Sequence, residues 1–137
     1  MRFTASGYLW VALVSLLALV LNIVLALNVA RSRARHNVPA PATTGNPAFE
    51  RDLRIHANTA EQLAAFLAAL WLCAIYLQPL VAAILGFIWI FGRIVYAAGY
   101  AADPPKRIVG FVVSITALAI LIVGALFGVI RAFLALP

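Results

Sequence analysis

Polar and apolar positions are segregated along this chain on the length scale of a bilayer. Three windows carry no charged residue: 28 residues between Arg2 and Arg31, 31 between Glu61 and Arg93, and 23 between Arg107 and Arg131. A spanning helix needs about 20 apolar residues. The first and last windows each fit one. The middle window is too long for one helix and is punctuated by Leu77-Gln78-Pro79. Proline cannot continue a helix but starts one well, so a tight hairpin is predicted there. The pattern predicts an all-α integral membrane protein, a four-transmembrane-helix bundle. The spans fall near 7–30, 54–77, 79–101 and 108–131, with loops at 31–53 and 102–107, in a single domain covering 1–137. VPAPATTGNP, within the first loop, holds three prolines and a glycine and reads as an irregular connector.

Composition supports lipid as the solvent. Hydrophobic residues make up 66% of the chain and charged residues 10%, against about a quarter charged in soluble domains. Too few charges remain to coat a water-soluble particle. The net charge of +6 is therefore read by location and not as a nucleic-acid signal. Arg31, Arg33, Arg35, Arg51 and Arg54 follow the first span, and Lys106 and Arg107 follow the third. Two spans separate these segments, so they share one side. The positive-inside rule makes that side cytoplasmic and places both termini outside. The first window far exceeds the roughly 7–15 apolar residues of a signal peptide, and arginines follow it at once. Short loops and alanine-rich helices point to a bacterial inner membrane. Cys73 is the single cysteine and, within an apolar run, reads as a buried thiol.

The remaining polar residues inside or beside the spans need an account, because an ionisable group in a membrane is costly and faces a partner or a cavity. Arg54, Asn58 and Glu61 are spaced i, i+4, i+7 and share a helical face. Arg93, Tyr96 and Tyr100 are spaced i, i+3, i+7 on the third helix. A structural reading pairs Arg93 with Glu61, lets Asn58 bond across helices, and leaves the tyrosines as interfacial aromatics. A functional reading notes the excess of cations. Arg31, Arg54, Arg93 and Arg107 against one glutamate suit an anionic ligand that carries a single ammonium group. His56 lies about 200° from the Arg54 face and reads as an interfacial hydrogen-bonder. No second histidine stands at ligand spacing, so no metal site is expected. GxSxG, P-loop and CxxC motifs are absent. Gly86, Gly92 and Gly99 suit close helix approach.

Three blocks of sequence carry a resemblance. FERDLRIHANTAEQ (Phe49 to Gln62) is similar to an E-R-x-x-R-x-H/Q-x-N-x-x-E pattern. FGRIVYAAGY (Phe91 to Tyr100) is similar to R-x-x-Y-x-x-x-Y, and Lys106-Arg107 forms a basic pair before the last helix. In this order they resemble the MAPEG family, the membrane-associated proteins in eicosanoid and glutathione metabolism. The resemblance implies a homotrimer of four-helix subunits that binds glutathione between neighbours near the cytoplasmic surface. It assigns glutathione contacts to Arg31 (with Arg33 a rival in that register), Arg54, His56, Asn58, Glu61, Arg93, Tyr96 and Tyr100. Gln62, where several relatives carry an aromatic, joins this set. Arg107 matches the arginine that activates the thiol. The implied activity is a glutathione transferase or peroxidase acting on a lipophilic electrophile or lipid hydroperoxide. Two other functions compete with it. One is a non-catalytic lipid-binding scaffold of the same fold. The other is a small multidrug-type transporter using Glu61 as its proton-coupling carboxylate, which the cationic company of Glu61 and its place near a helix end argue against.

Overall fold

A computed structural model describes residues 2–137, with side chains from Ser6 onward. The Arg2 side chain, which bounds the first charge-free window, lies outside the described ones. Four helices make up the chain: α1 (Arg2–His36), α2 (Pro47–Tyr76), α3 (Pro79–Ala102) and α4 (Arg107–Leu134). All four are long and apolar enough to cross a membrane. A single 3-10 turn, Pro104–Lys106, leads into α4.

Local chemistry sets where these helices begin and end. α1 runs beyond its apolar window to His36 and stops where Asn37 adopts a left-handed conformation (φ 52°), a common helix terminator. α2 starts seven residues before the predicted span. Its N-cap is Asn46, whose Oδ1 accepts from the backbone N–H groups of Ala48 (2.9 Å) and Phe49 (3.3 Å), with Pro47 in the first position. Glu50 Oε1 accepts from Gly45 N at 3.1 Å, which ties the residue before the cap to the first turn. Hydropathy marks only what the bilayer covers, whereas these caps let the helix begin in the polar zone. At the other end, the chain turns at Leu77-Gln78. Gln78 Oε1 accepts from Val81 N at 2.6 Å and Pro79 opens α3.

α2 and α3 sit at the centre of the bundle. Each packs on both α1 and α4 as well as on the other, while α1 and α4 share no packing among the described residues. The main core is apolar and aromatic. Phe66 stacks on Trp89 at 3.9 Å and 9°, and around them lie Val11, Val14, Leu70, Leu118 and Leu121, all buried. Many large apolar side chains face outward instead, among them Leu9, Phe91, Val123 and Phe127. Such a surface is not stable in water and is suited to lipid or to a neighbouring subunit.

Candidate functional site

At the end of the bundle where α2 and α4 begin and α3 ends, a cavity of about 420 Å³ is lined by Arg54, Asn58, Tyr96, Tyr100, Arg107, Ile108 and Phe111. Its size is within the range of small-molecule sites, roughly 300–1,000 Å³. α2 supplies a guanidinium and an amide, α3 two phenols, and α4 a guanidinium with an apolar wall. Seven side chains from three helices therefore converge on one space.

Glycines make that convergence possible. A Cβ on Gly110 of α4 would collide with the backbone N and Cα of Tyr96. One on Gly92 would lie 2.7 Å from Ser114 N, and one on Gly99 would lie 2.6 Å from Lys106 O. Bare backbone here lets α4 lie directly on α3. The contact brings the Arg107 guanidinium over the Tyr100 ring, 4.7 Å from its centroid. Arg107 is also the first residue of α4, so the positive end of that helix dipole adds to its charge.

The floor of the cavity is tied down in two rungs between α2 and α3. Asn58 Nδ2 donates to the Tyr96 phenol oxygen at 2.6 Å, which leaves the phenol's own proton available. One residue further along α2, Thr59 Oγ1 accepts from Arg93 Nε (3.2 Å) and Nη2 (2.6 Å). Arg93 is fully buried, and its guanidinium lies 4.1 Å from the centroid of the Tyr96 ring. Its Nη1 has no hydrogen-bond partner. Tyr96 in turn packs against Tyr100 at 5.8 Å, with Leu25 and Ile55 beneath.

The candidate residues divide clearly. Arg54, Asn58, Tyr96, Tyr100 and Arg107 line the cavity. Arg93 lies below it, held by a hydroxyl and an aromatic face in place of the Glu61 carboxylate that the structural reading paired with it. Glu61 and Arg31 are exposed and His56 is half-buried, and none of the three lines the cavity. Gln62 Oε1 accepts from Trp89 Nε1 at 3.3 Å, an interhelical tie. Arg33 is occupied elsewhere. It donates to Ala42 O at 2.7 Å and stacks on Phe49 at 4.6 Å, pinning the connector. Of the two rivals near the end of α1, Arg31 is the one left exposed for a ligand. Sequence reasoning missed Ile108 and Phe111, ordinary members of an apolar run, and Thr59, whose one signal was its place beside Asn58. Among the described residues, no cluster of histidine, cysteine, aspartate and glutamate suits a metal ion.

The site consists of two guanidiniums, an amide and two phenols beside an apolar wall. It suits a small polar anion lying beside an apolar group. The MAPEG family model matches residues 11–127. An uncharacterised protein of Synechocystis sp. is 52% identical over 127 residues, covering 93% of each chain. Microsomal glutathione S-transferase 2 of Homo sapiens is 35% identical over 130 residues, covering 95% of this chain and 88% of its own. Leukotriene C4 synthase of Cavia porcellus is 37% identical over 123 residues, covering 90% and 82%.

Proposed function

The chain belongs to the MAPEG family, and from that membership we propose that it is a membrane-embedded glutathione-dependent transferase and peroxidase. The observation that carries the reading is the convergence of Arg54, Asn58, Tyr96, Tyr100 and Arg107 on one cavity at the bundle's arginine-rich end. Glutathione has two carboxylates, one ammonium and one thiol. Arg54 grips a carboxylate through its planar fork. Asn58 and the Tyr96 phenol bond the peptide backbone. Arg107 faces the sulfur.

A free thiol ionises near pH 8.5, and the thiolate is the nucleophile. The Arg107 guanidinium and the start of α4 both favour the charged form, so the bound thiol ionises below its ordinary range. Lipid-facing helices exclude water and leave this attraction less screened. The electrophile arrives from the bilayer along Ile108 and Phe111. With an electrophilic carbon, the sulfur forms the C–S bond and the electron pair leaves with the displaced atom, which then takes a proton. With a hydroperoxide, the sulfur attacks the terminal oxygen and the O–O bond breaks. The alkoxide takes a proton, and a second glutathione converts the sulfenic acid to disulfide and water.

The assembly belongs to the same proposal. Three subunits close the open side of the cavity, and the exposed Arg31 and Glu61 meet the ligand at the junction between neighbours, with Glu61 taking the ammonium. His56 and Gln62 flank that junction, and Arg93 supports it from below. The arginine-rich end faces the cytoplasm.

The Arg107→Ala variant tests the chemistry. On purified protein in micelles, calorimetry should show glutathione affinity within about threefold of the parent. The thiolate absorbance should vanish, and conjugation should fall by roughly 100-fold or more, the scale of losing one charge-stabilising donor. Full conjugation in this variant removes Arg107 from its role. Parent protein that binds glutathione without any thiolate signal is a lipid-binding scaffold, not an enzyme.

A further inference from the structure

Below the cavity lies a group that the proposed chemistry does not use. Thr59 is fully buried, and all three of its hydrogen-bonding positions are filled. Its Oγ1 donates to Ile55 O at 2.8 Å and accepts from Arg93 Nε and Nη2. A hydroxyl has one proton and two lone pairs, so nothing is left for water or ligand. Arg93, fully buried within a span, meets this hydroxyl and the Tyr96 ring. A buried charge that loses its partner is strongly destabilised, so the guanidinium sits where Thr59 holds it. The Tyr96 ring lies against that guanidinium, and its phenol fixes Asn58 at the cavity wall.

We propose that Thr59 is a positioning residue. By fixing the Arg93 guanidinium beneath Tyr96 it sets the place of the Tyr96 phenol and of Asn58 in the ligand cavity. The inference rests on the glutathione reading above, because its effect is read as glutathione affinity. Residue type matters in a specific way. Valine keeps the shape of threonine but offers no acceptor to either guanidinium nitrogen. Serine keeps the acceptor and loses only a methyl group. A carboxylate here would hold Arg93 too, but threonine does so without adding a negative charge beneath a cavity meant for anions.

The test is a double-mutant cycle read by calorimetric glutathione binding, with thermal unfolding followed in parallel. Thr59→Val should weaken glutathione binding by about tenfold or more, on the scale of lost bonds to a charged group. Thr59→Ser should restore affinity to within about threefold of the parent. Arg93→Met removes the charge that Thr59 serves, and in that background Thr59→Val should cause no further loss. Arg93→Met also guards the test against a Thr59→Val protein that does not fold. A buried charge replaced by an apolar chain of similar volume is often tolerated, so a folded double variant then reports on Thr59 by itself. Equal losses from Thr59→Val in both backgrounds, or parental affinity in the single variant, overturn the proposal. If the parent protein shows no glutathione affinity, the functional reading falls and this inference falls with it. If the parent binds and Thr59→Val binds equally well, only the role of Thr59 is lost.

Discussion

Arg54 and Tyr96 reach the same cavity with different consequences for binding. Arg54 is exposed, so its value to the fold is small, while the bidentate grip on a carboxylate proposed for it would be worth roughly 1.5–3 kcal/mol. Arg54→Gln should therefore weaken glutathione binding by about 10- to 100-fold in calorimetry and leave the unfolding temperature nearly unchanged. Tyr96→Phe removes the acceptor of Asn58 and the donor offered to the ligand, yet keeps the ring over Arg93. A smaller loss of about fivefold is expected, on the scale of one neutral hydrogen bond of about 1 kcal/mol. A loss as large as that of Arg54→Gln would mean that the phenol does more than bond a neutral group. The cavity-lining set was partly legible in the sequence, because Arg54 and Asn58 share a helical face, as do Tyr96 and Tyr100. Glu61 shares that face too, about 10 Å further along the helix, but it is exposed and does not line the cavity. The Thr59–Arg93 bond was not legible. Periodicity says which side of a helix a residue occupies and is silent on which hydroxyl a buried guanidinium will find.

Helix–helix contact decides whether Arg107 arrives at the site at all. α4 touches α3 through backbone, and Gly110 is the glycine there with least room for a side chain. A methyl group there meets Tyr96 backbone, which cannot swing aside as a flexible side chain would. Gly110→Ala should push α4 outward, destabilise the bundle by about 1–3 kcal/mol, and lift Arg107 away from Tyr100. The expected result is a lower unfolding temperature together with a conjugation rate reduced at least about tenfold. An unchanged rate would show that Arg107 reaches the sulfur without close α3–α4 packing. Asn46→Ala makes a useful contrast. It removes the acceptor for two N–H groups at the start of α2 and should cost about 1 kcal/mol of stability, with glutathione binding little altered. Three apolar windows, the middle one divided at Pro79, sufficed to foresee four helices, because bilayer thickness fixes span length. They did not foresee that α1 would reach His36 or that α2 would begin at Pro47. Those ends are set by caps in the polar zone, where hydropathy carries no signal. Gly92 and Gly99 are legible in the sequence as small-residue contacts, whereas Gly110, in the last helix, gains its meaning only from the Tyr96 backbone beside it.

At the scale of the whole molecule, sidedness decides whether the site, if it takes glutathione as proposed, meets it from the cytoplasm. The cavity lies at the end of the bundle that carries Arg31, Arg33, Arg35, Arg51, Arg54, Lys106 and Arg107. Charge asymmetry of this kind orients membrane proteins with the basic end inside. The chain also lends itself to a clean measurement, because its single cysteine, Cys73, is fully buried in the core. It should stay silent to a membrane-impermeant maleimide in folded protein, so a cysteine introduced at the surface reports by itself. Ala40, in the exposed α1–α2 connector, and Pro137, exposed past the end of α4, lie at opposite ends of the bundle. In right-side-out vesicles the Pro137→Cys variant should label fully and the Ala40→Cys variant only after permeabilisation. In inverted vesicles the two should exchange behaviour. The reverse pattern would place the cavity on the far side of the membrane, away from the cytoplasm. The arginines would then have to be explained by the site's demand for cations, not by topology.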